Sequence, residues 1–367
     1  MKIGITTAFF QNYRAGTWVY ACSLLKALDG LTGSGNRFHT IDFLDQAVAG
    51  LNAIEHTVYP LPTETLAKIV WPNLVLPRRA ARERFDVVHA TTHYGTFMPC
   101  MYRNIITVTD VSPIIHPETH GLMQVAYHRH VLPLVLKRAD AIVTISHSSK
   151  KDIVSCCRIA EDKVHVIHLG VDTRFVPDTA EENDFARSLP GRYILNIGTL
   201  EARKNLPRLL EAYVIARRKG LPHKLLIGGA RGWRLSNLAG IVEKHALGND
   251  VVFLGFVEDA DLPALYRKAD FFVYPSIYEG FGMPILEAMA CGTPVITANC
   301  SSMPEVAGDA ALLVDPLDPE EIAARILDLA GSADLRRSLR EKGIQRASRF
   351  SWEKTAQETL AVYERKL

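Results

Sequence analysis

The chain has 367 residues, 48% hydrophobic and 22% charged, with 42 Lys and Arg against 40 Asp and Glu. That balance is ordinary for a globular protein and lacks the basic excess that nucleic-acid binding needs, so nucleic acid is not an expected partner. The length predicts about two domains, and no run of about 20 apolar residues is present to span a bilayer.

The opening MKIGITTAFF lacks a long apolar region and a small-residue cleavage site, so it reads as a first strand rather than an export signal. A cytoplasmic location is expected. Short apolar runs at 2–7, 37–43, 86–90, 104–108, 140–145 and 164–167 alternate with longer helical patterns. A second series follows at 192–197, 223–228, 251–254, 270–274, 293–297 and 311–314. This alternation belongs to βα units around parallel sheets, and two series predict an α/β chain of two doubly wound domains. Turn residues in HLGVDTRFVPD mark the boundary near Gly170–Pro177. The expected domains are 1–172 and 173–349, with a polar connection at 179–192. The segment 350–367 is helical by periodicity, with Ser351 as N-cap and Lys354 where a capping-box acid would stand. The six cysteines, Cys22, Cys100, Cys156, Cys157, Cys291 and Cys300, show no C-x-x-C spacing and no zinc pattern, so scattered thiols and no metal site are expected.

Ligands of doubly wound sheets bind beyond the carboxyl ends of the strands. Gly16 stands ahead of an apolar helix and permits close backbone approach to a ligand, or simply makes a turn. Arg203 and Lys204 follow the strand YILNIG, where a guanidinium fork and an ammonium suit a diphosphate; a solvated basic pair is the other reading. Gly228–Gly229 and Gly255–Val257 end further strands, for a nucleobase or for turns. The most informative stretch is EGFGMPILE, in which Glu279 and Glu287 enclose seven residues. Gly280 and Gly282 allow close approach, Pro284 suits a first helical turn, and early helical amides favour a phosphate anion. A carboxylate on either side can accept hydrogen bonds from hydroxyls. These parts describe a site for a phosphate-bearing, hydroxyl-rich ligand such as a nucleotide sugar, although two such acids also occur as a loop acid and a helix-surface acid.

The strings NIGTLEARKN, FLGF and ADLPALYRKADFFVYPSIYEGFGMPILEAMACGTPVITANCSSMPEVAGDAALLVDP resemble retaining glycosyltransferases of the group-one class, glycosyltransferase family four. TVTDVSPIIHPETH, ISHSSKKDI and HVIHLGVD extend the resemblance into the first half, and it is weakest at 45–85. It implies the GT-B fold, two Rossmann-like domains facing across a cleft, with the nucleotide-sugar donor held mainly by 173–349 and the helix of 350–367 crossing back to 1–172. It implies that Glu279 lies near the donor sugar hydroxyls, that Gly280, Phe281, Gly282 and Met283 contact sugar or phosphate, and that Glu287 holds the ribose hydroxyls. Arg203 and Lys204 fall at the diphosphate. Two positions depart from the pattern. The family arginine five places before the lysine is Thr199 here, so Arg203 supplies the guanidinium. The family histidine before Asp110 is Thr109, which leaves Asp110 to orient the acceptor or act as a base, with His93 and His116 as other candidates.

The resemblance further implies front-face transfer with retention; no cofactor is expected, and no metal, because Arg203, Lys204 and helix-terminal amides can offset the growing phosphate charge. GDP-mannose ranks first as donor, ahead of UDP- and dTDP-linked sugars, and the acceptor is a glycan or lipid-linked oligosaccharide in surface polysaccharide assembly. The segment KIVWPNLVLPRRAARERF, with Trp71 and Arg78, Arg79, Arg82 and Arg84, reads as a contact with the inner face of an anionic membrane or as a solvated basic helix. A sugar-nucleotide epimerase, a glycan phosphorylase and a non-catalytic nucleotide-sugar-binding scaffold are the alternatives.

Overall fold

Strands in the computed structural model are short and parallel. It describes residues 1–7, 16–31, 35–42, 48, 50–59, 67–177, 184–230, 232 and 238–365. Phe43 and residues 179–183 of the expected connection lie outside the described residues. The chain divides into two compact units, one formed by Met1–Pro117, Gly121–Gly170 and Ser351–Leu367, the other by Glu118–His120 and Val171–Phe350.

The first unit holds β1 (Lys2–Thr6), β2 (Arg37–Asp42), β3 (Glu55–Val58), β4 (Val87–Ala90), β5 (Arg103–Thr107), β6 (Ala141–Thr144) and β7 (Val164–Val166). They form one parallel sheet in the order β3-β2-β1-β4-β5-β6-β7. The second unit holds β8 (Tyr193–Ile197), β9 (Lys224–Gly228), β10 (Val251–Gly255), β11 (Phe271–Tyr274), β12 (Val295–Ala298) and β13 (Ala311–Val314). Its parallel order is β10-β9-β8-β11-β12-β13. In each sheet the order reverses once, between β1 and β4 and between β8 and β11, which creates the switch point where such sheets bind ligands. Strands at the centre, such as YILNI and FFVY, are buried along their whole length, as expected where helices cover both faces. The edge strand β3 reads EHTV and is only partly covered. It was not among the expected strands, because a polar edge carries no apolar run.

Helices that pack around the sheets include α1 (Gly16–Asp29) and α2 (His147–Cys157) in the first unit, α3 (Leu206–Arg218), α4 (Leu262–Lys268), α5 (Met283–Ala290), α6 (Pro319–Gly331) and α7 (Ala333–Ala347) in the second. The last, α8 (Trp352–Glu364), belongs to the first unit. Ser351 caps α8 by accepting from the Lys354 amide, the arrangement a serine at that position favours. A column of hydrogen bonds fixes α8 to the sheet. The buried Tyr363 hydroxyl meets His89 Nδ1 at 2.6 Å, His89 Nε2 meets Thr107 Oγ1 at 2.7 Å, and Tyr20 reaches the same Thr107 at 2.9 Å. Burial lowers the His89 imidazole to about 3, so it serves as a neutral link.

Leu209, Leu210 and Tyr213 of α3 pack with Leu225, Phe271, Val273, Ile322 and Ile326 to form the core of the second unit. The first unit has one core around Ile106, Leu132, Val135 and Ile142. Another surrounds Trp71, Leu76, Phe85 and Val88. Trp71 is fully buried and donates its Nε1–H to the Tyr59 carbonyl, so it is a core residue and is withdrawn from any surface contact. No disulfide joins the six cysteines, and no described helix is long and apolar enough to cross a membrane.

Candidate functional site

The candidate site stands at the switch point of the second sheet, where the segments after β8 and β11 meet. After β8 the backbone passes Gly198 at φ +154°, then turns through a short 3-10 helix, Ala202–Lys204, into Asn205 at φ +60°. Asn205 donates its side-chain amide to the carbonyls of Pro275 and Pro316, and the Ile277 amide donates to the Arg203 carbonyl. The segment bearing the cations is thereby stapled to the segment bearing the acid.

Glu279 is 6% exposed and receives both cations. Arg203 Nη1 lies 2.7 Å from its Oε2, and Lys204 Nζ lies 2.6 Å from its Oε1. Arg203 gives its other nitrogen to Glu201 at 2.7 Å. Tyr274 completes the cluster: its hydroxyl accepts from Lys204 Nζ at 2.6 Å and donates to Glu279 Oε1 at 2.9 Å. Burial alone would raise the Glu279 carboxyl, but Arg203 and Lys204 together outweigh it and hold the group down at about 2. It is therefore an anion at neutral pH. Burial, followed by the adjacent guanidinium, pulls Lys204 below its ordinary value, and Glu279 opposes them.

Two serines hold the backbone of the motif. The hydroxyls of Ser301 and Ser302 both reach the Glu279 carbonyl, at 2.6 and 2.8 Å, and Ser302 also lies 2.8 Å from the Phe281 carbonyl. Gly282 then adopts φ +105° as the N-cap of α5, with no side-chain cap and with proline in the first turn. An added Cβ at Gly282 would lie 3.0 Å from Ile285 Cδ1, so glycine is needed both for the left-handed turn and for the packing. Phe281 is buried, and Met283, the first residue of α5, is partly exposed.

Glu287 is separately held. It lies on α5, and Tyr266 of α4 donates to its Oε2 at 2.9 Å. Burial raises the Glu287 carboxyl to about 7, against the lowering effects of the Tyr266 bond and of Arg174. The two motif acids thus differ in charge at neutral pH: Glu279 is fixed as an anion by cations, whereas Glu287 titrates.

The structure brings Arg203, Lys204 and Glu279 together and carries Glu287 on the helix that follows. Gly228–Gly229 and Gly255 serve backbone packing: the Gly229 amide donates to the Gly255 carbonyl, and a Cβ at Gly229 would lie 1.9 Å from the Gly198 carbonyl oxygen. In the first unit, Gly16 is an exposed first residue of α1 with open space around an added Cβ. Asp110 follows β5, and its carboxylate accepts from the Ser112 amide at 2.8 Å. The Thr109 carbonyl accepts from Ser149. His93 lies tilted against the rings of Tyr94, Tyr127 and His128, and His116 ends the short helix Ser112–Ile115. Tyr274, Tyr266, Glu201, Ser301 and Ser302 were not expected. Tyr274 in FFVY and Tyr266 in LPALYRK read as ordinary apolar positions, and only the fold turns their hydroxyls onto the glutamates.

Comparisons with known proteins bear on this geometry. The model of the glycosyl transferases group 1 matches residues 178–346, and that of Glycosyltransferase Family 4 matches residues 16–175. The chain is 35% identical over 301 residues to the O-antigen chain mannosyltransferase B of Escherichia coli, covering 79% of this chain and 78% of that protein. It is 33% identical over 245 residues to the serotype-specific mannosyltransferase WbdA of Escherichia coli, covering 63% of this chain but 29% of that protein. The sucrose-phosphate synthase of Thermosynechococcus elongatus superposes with a TM-score of 0.76 at 20% identity over 99% of this chain and 98% of that one, which shows the shared GT-B fold of two Rossmann-like domains. The chain belongs to the group 1 glycosyltransferases of glycosyltransferase family four.

Proposed function

We propose that the chain is a retaining mannosyltransferase that moves mannose from GDP-mannose to a growing glycan or lipid-linked oligosaccharide in surface polysaccharide assembly. The observation that carries the reading is the anchored cluster of Arg203, Lys204 and Glu279 at the switch point of the second sheet. Both named mannosyltransferase relatives support mannose as the sugar.

In this reaction the bond between the anomeric carbon and the diphosphate oxygen breaks, and its electron pair leaves with the diphosphate. Positive charge grows on the sugar and negative charge on the leaving group. Arg203, which keeps 22% side-chain exposure beside the buried Lys204, offsets the negative charge as a preoriented donor, with the first-turn amides of α5 adding to it. This is why no divalent cation and no cofactor is called for. The acceptor hydroxyl attacks the same face and its proton passes to the departing phosphate oxygen. Glu279, held ionised, accepts hydrogen bonds from the sugar hydroxyls, and the ribose hydroxyls fall to Glu287. Asp110 in the first unit orients the acceptor. The exposed arginines Arg78, Arg79, Arg82 and Arg84 are assigned to contact with an anionic membrane face.

A panel of nucleotide sugars incubated with the protein in chelator tests the proposal. Release of GDP from GDP-mannose, with an α-linked mannosyl product on an added glycan acceptor, is expected. Release from another nucleotide sugar alone overturns the donor, turnover that needs added magnesium overturns metal independence, and interconversion of free nucleotide sugars would mark an epimerase.

A further inference from the structure

Each of the paired glutamates receives a hydroxyl from a buried tyrosine outside the EGFGMPILE segment. Tyr274, 1% exposed, closes a triangle with Lys204 and Glu279. Its hydroxyl stays protonated, since burial and the adjacent Glu279 raise it well above its ordinary value, so it must donate to the carboxylate while accepting from the ammonium. Glu279 Oε1 is thereby shared by Lys204 and Tyr274, and Oε2 is left to Arg203. Tyr266, fully buried on α4, donates to Glu287 Oε2. The two rings belong to one aromatic column. Tyr274 stacks on Phe272 at 5.6 Å, Phe272 meets Tyr266 edge-on at 5.4 Å, and Tyr266 meets Phe175 at 5.9 Å. The column rests on ring packing, so phenylalanine at either position keeps its shape and removes only a hydroxyl.

We propose that Tyr274 and Tyr266 are positioning residues with separate duties, Tyr274 fixing the Lys204–Glu279 pair for the sugar–diphosphate end of the donor and Tyr266 fixing the Glu287 carboxyl for its nucleoside end. The inference rests on the donor assignment proposed above. Without the Tyr274 hydroxyl, a buried carboxylate and a buried ammonium each lose a partner, and such losses at charged groups are large. Because Glu279 acts where charge develops, the loss falls on turnover. Because Glu287 binds a part of the donor that does not react, loss of Tyr266 falls equally on ground and transition states and appears as binding.

The test compares Tyr274→Phe, Tyr266→Phe and, as a control, Tyr193→Phe, whose buried hydroxyl donates to the Leu265 carbonyl. Donor kinetics and calorimetric binding of GDP alone are read on the full chain, with melting temperature as a check on folding. Tyr274→Phe is expected to lower kcat by about 10- to 100-fold with KM little changed. Tyr266→Phe is expected to raise the donor KM and the GDP Kd about tenfold at unchanged kcat. Tyr193→Phe should retain the wild-type constants. Equal kinetic losses in all three variants, or a loss that tracks melting temperature alone, would overturn the division of duties. A wild-type protein that binds none of the nucleoside diphosphates GDP, UDP and dTDP would instead sink the donor assignment itself, which separates the two failures.

Discussion

Glu279 and Glu287 lie eight positions apart, yet their surroundings drive them in opposite directions. Glu279 is pulled down to about 2 by its cations, so its contribution to stability is present above the ordinary glutamate range and is lost as pH falls through that range toward 2. Glu287 is pushed up to about 7 by burial, so the stability it contributes is present below the ordinary range and is lost as pH rises through 7. Its carboxyl faces Tyr266, Arg174, Asp259 and Asp172, and the last two oppose ionisation. In Glu287→Gln the titration is absent. Urea unfolding of wild type and variant at pH 4.5 and 7.5 is therefore expected to show the balance moving toward the variant by up to about 3 kcal/mol. A gap that stays constant with pH would refute the shifted carboxyl.

Among the elements, α5 starts at a glycine in the left-handed region. Gly282→Ala must place a Cβ at φ +105° against Ile285, and a loss of about 1–3 kcal/mol is expected together with weaker donor binding, measured by thermal melting and calorimetry. Gly16→Ala, where nothing crowds the new Cβ, should melt like wild type, and unchanged donor affinity in that variant would remove Gly16 from the donor site. The elements also show what a sequence can disclose. Strands such as YILNI and VITA are legible because burial on both faces demands unbroken apolar runs, whereas β3 hides because its edge position permits Glu55, His56 and Thr57. The motif acids, Arg203 and Lys204 are legible through their spacing and their place at strand ends. Tyr274 and Tyr266 are not, since a tyrosine that packs its ring in a core and aims its hydroxyl at an acid has the same apolar pattern as one that does neither. Trp71 shows the converse: its place next to a run of arginines offered a membrane contact as one reading, and the Tyr59 carbonyl holds it inside.

At the scale of the molecule, exposed apolar side chains are unevenly shared. Among the described residues, Met1, Ile69, Leu74, Phe97, Met98, Met101, Leu122, Met123 and Leu134 are exposed in the first unit, against Phe253, Phe256 and Leu317 in the second. Asn73, beside Leu74, accepts from the Thr96 hydroxyl and the Phe97 amide, which ties two of these segments together. Leu74 lies beside the exposed Arg78, whose Nη1 donates to the Leu74 carbonyl at 3.1 Å, and the proposed membrane contact would use such pairs of an apolar tip and a cation. Cosedimentation with vesicles containing anionic lipid is expected at low salt, weakened by added salt and by Arg78→Glu with Arg82→Glu; equal retention on neutral vesicles would argue against the charge-based contact.

The chain leaves the first unit at Gly170 and returns to it at Ser351, and these two points touch: a Cβ on Gly170 would lie 2.5 Å from the Ser351 carbonyl carbon and 2.2 Å from the Trp352 nitrogen. The second unit is therefore an insertion whose two ends meet, and synthesis must complete all of it before α8 emerges from the ribosome. Until then His89 lacks the Tyr363 hydroxyl, and Arg103 lacks the Val362 and Tyr363 carbonyls that it binds in the finished fold. The unit that begins first is the one completed last, so the nascent chain carries residues 171–350 of the second unit in full while the first still waits for its closing helix.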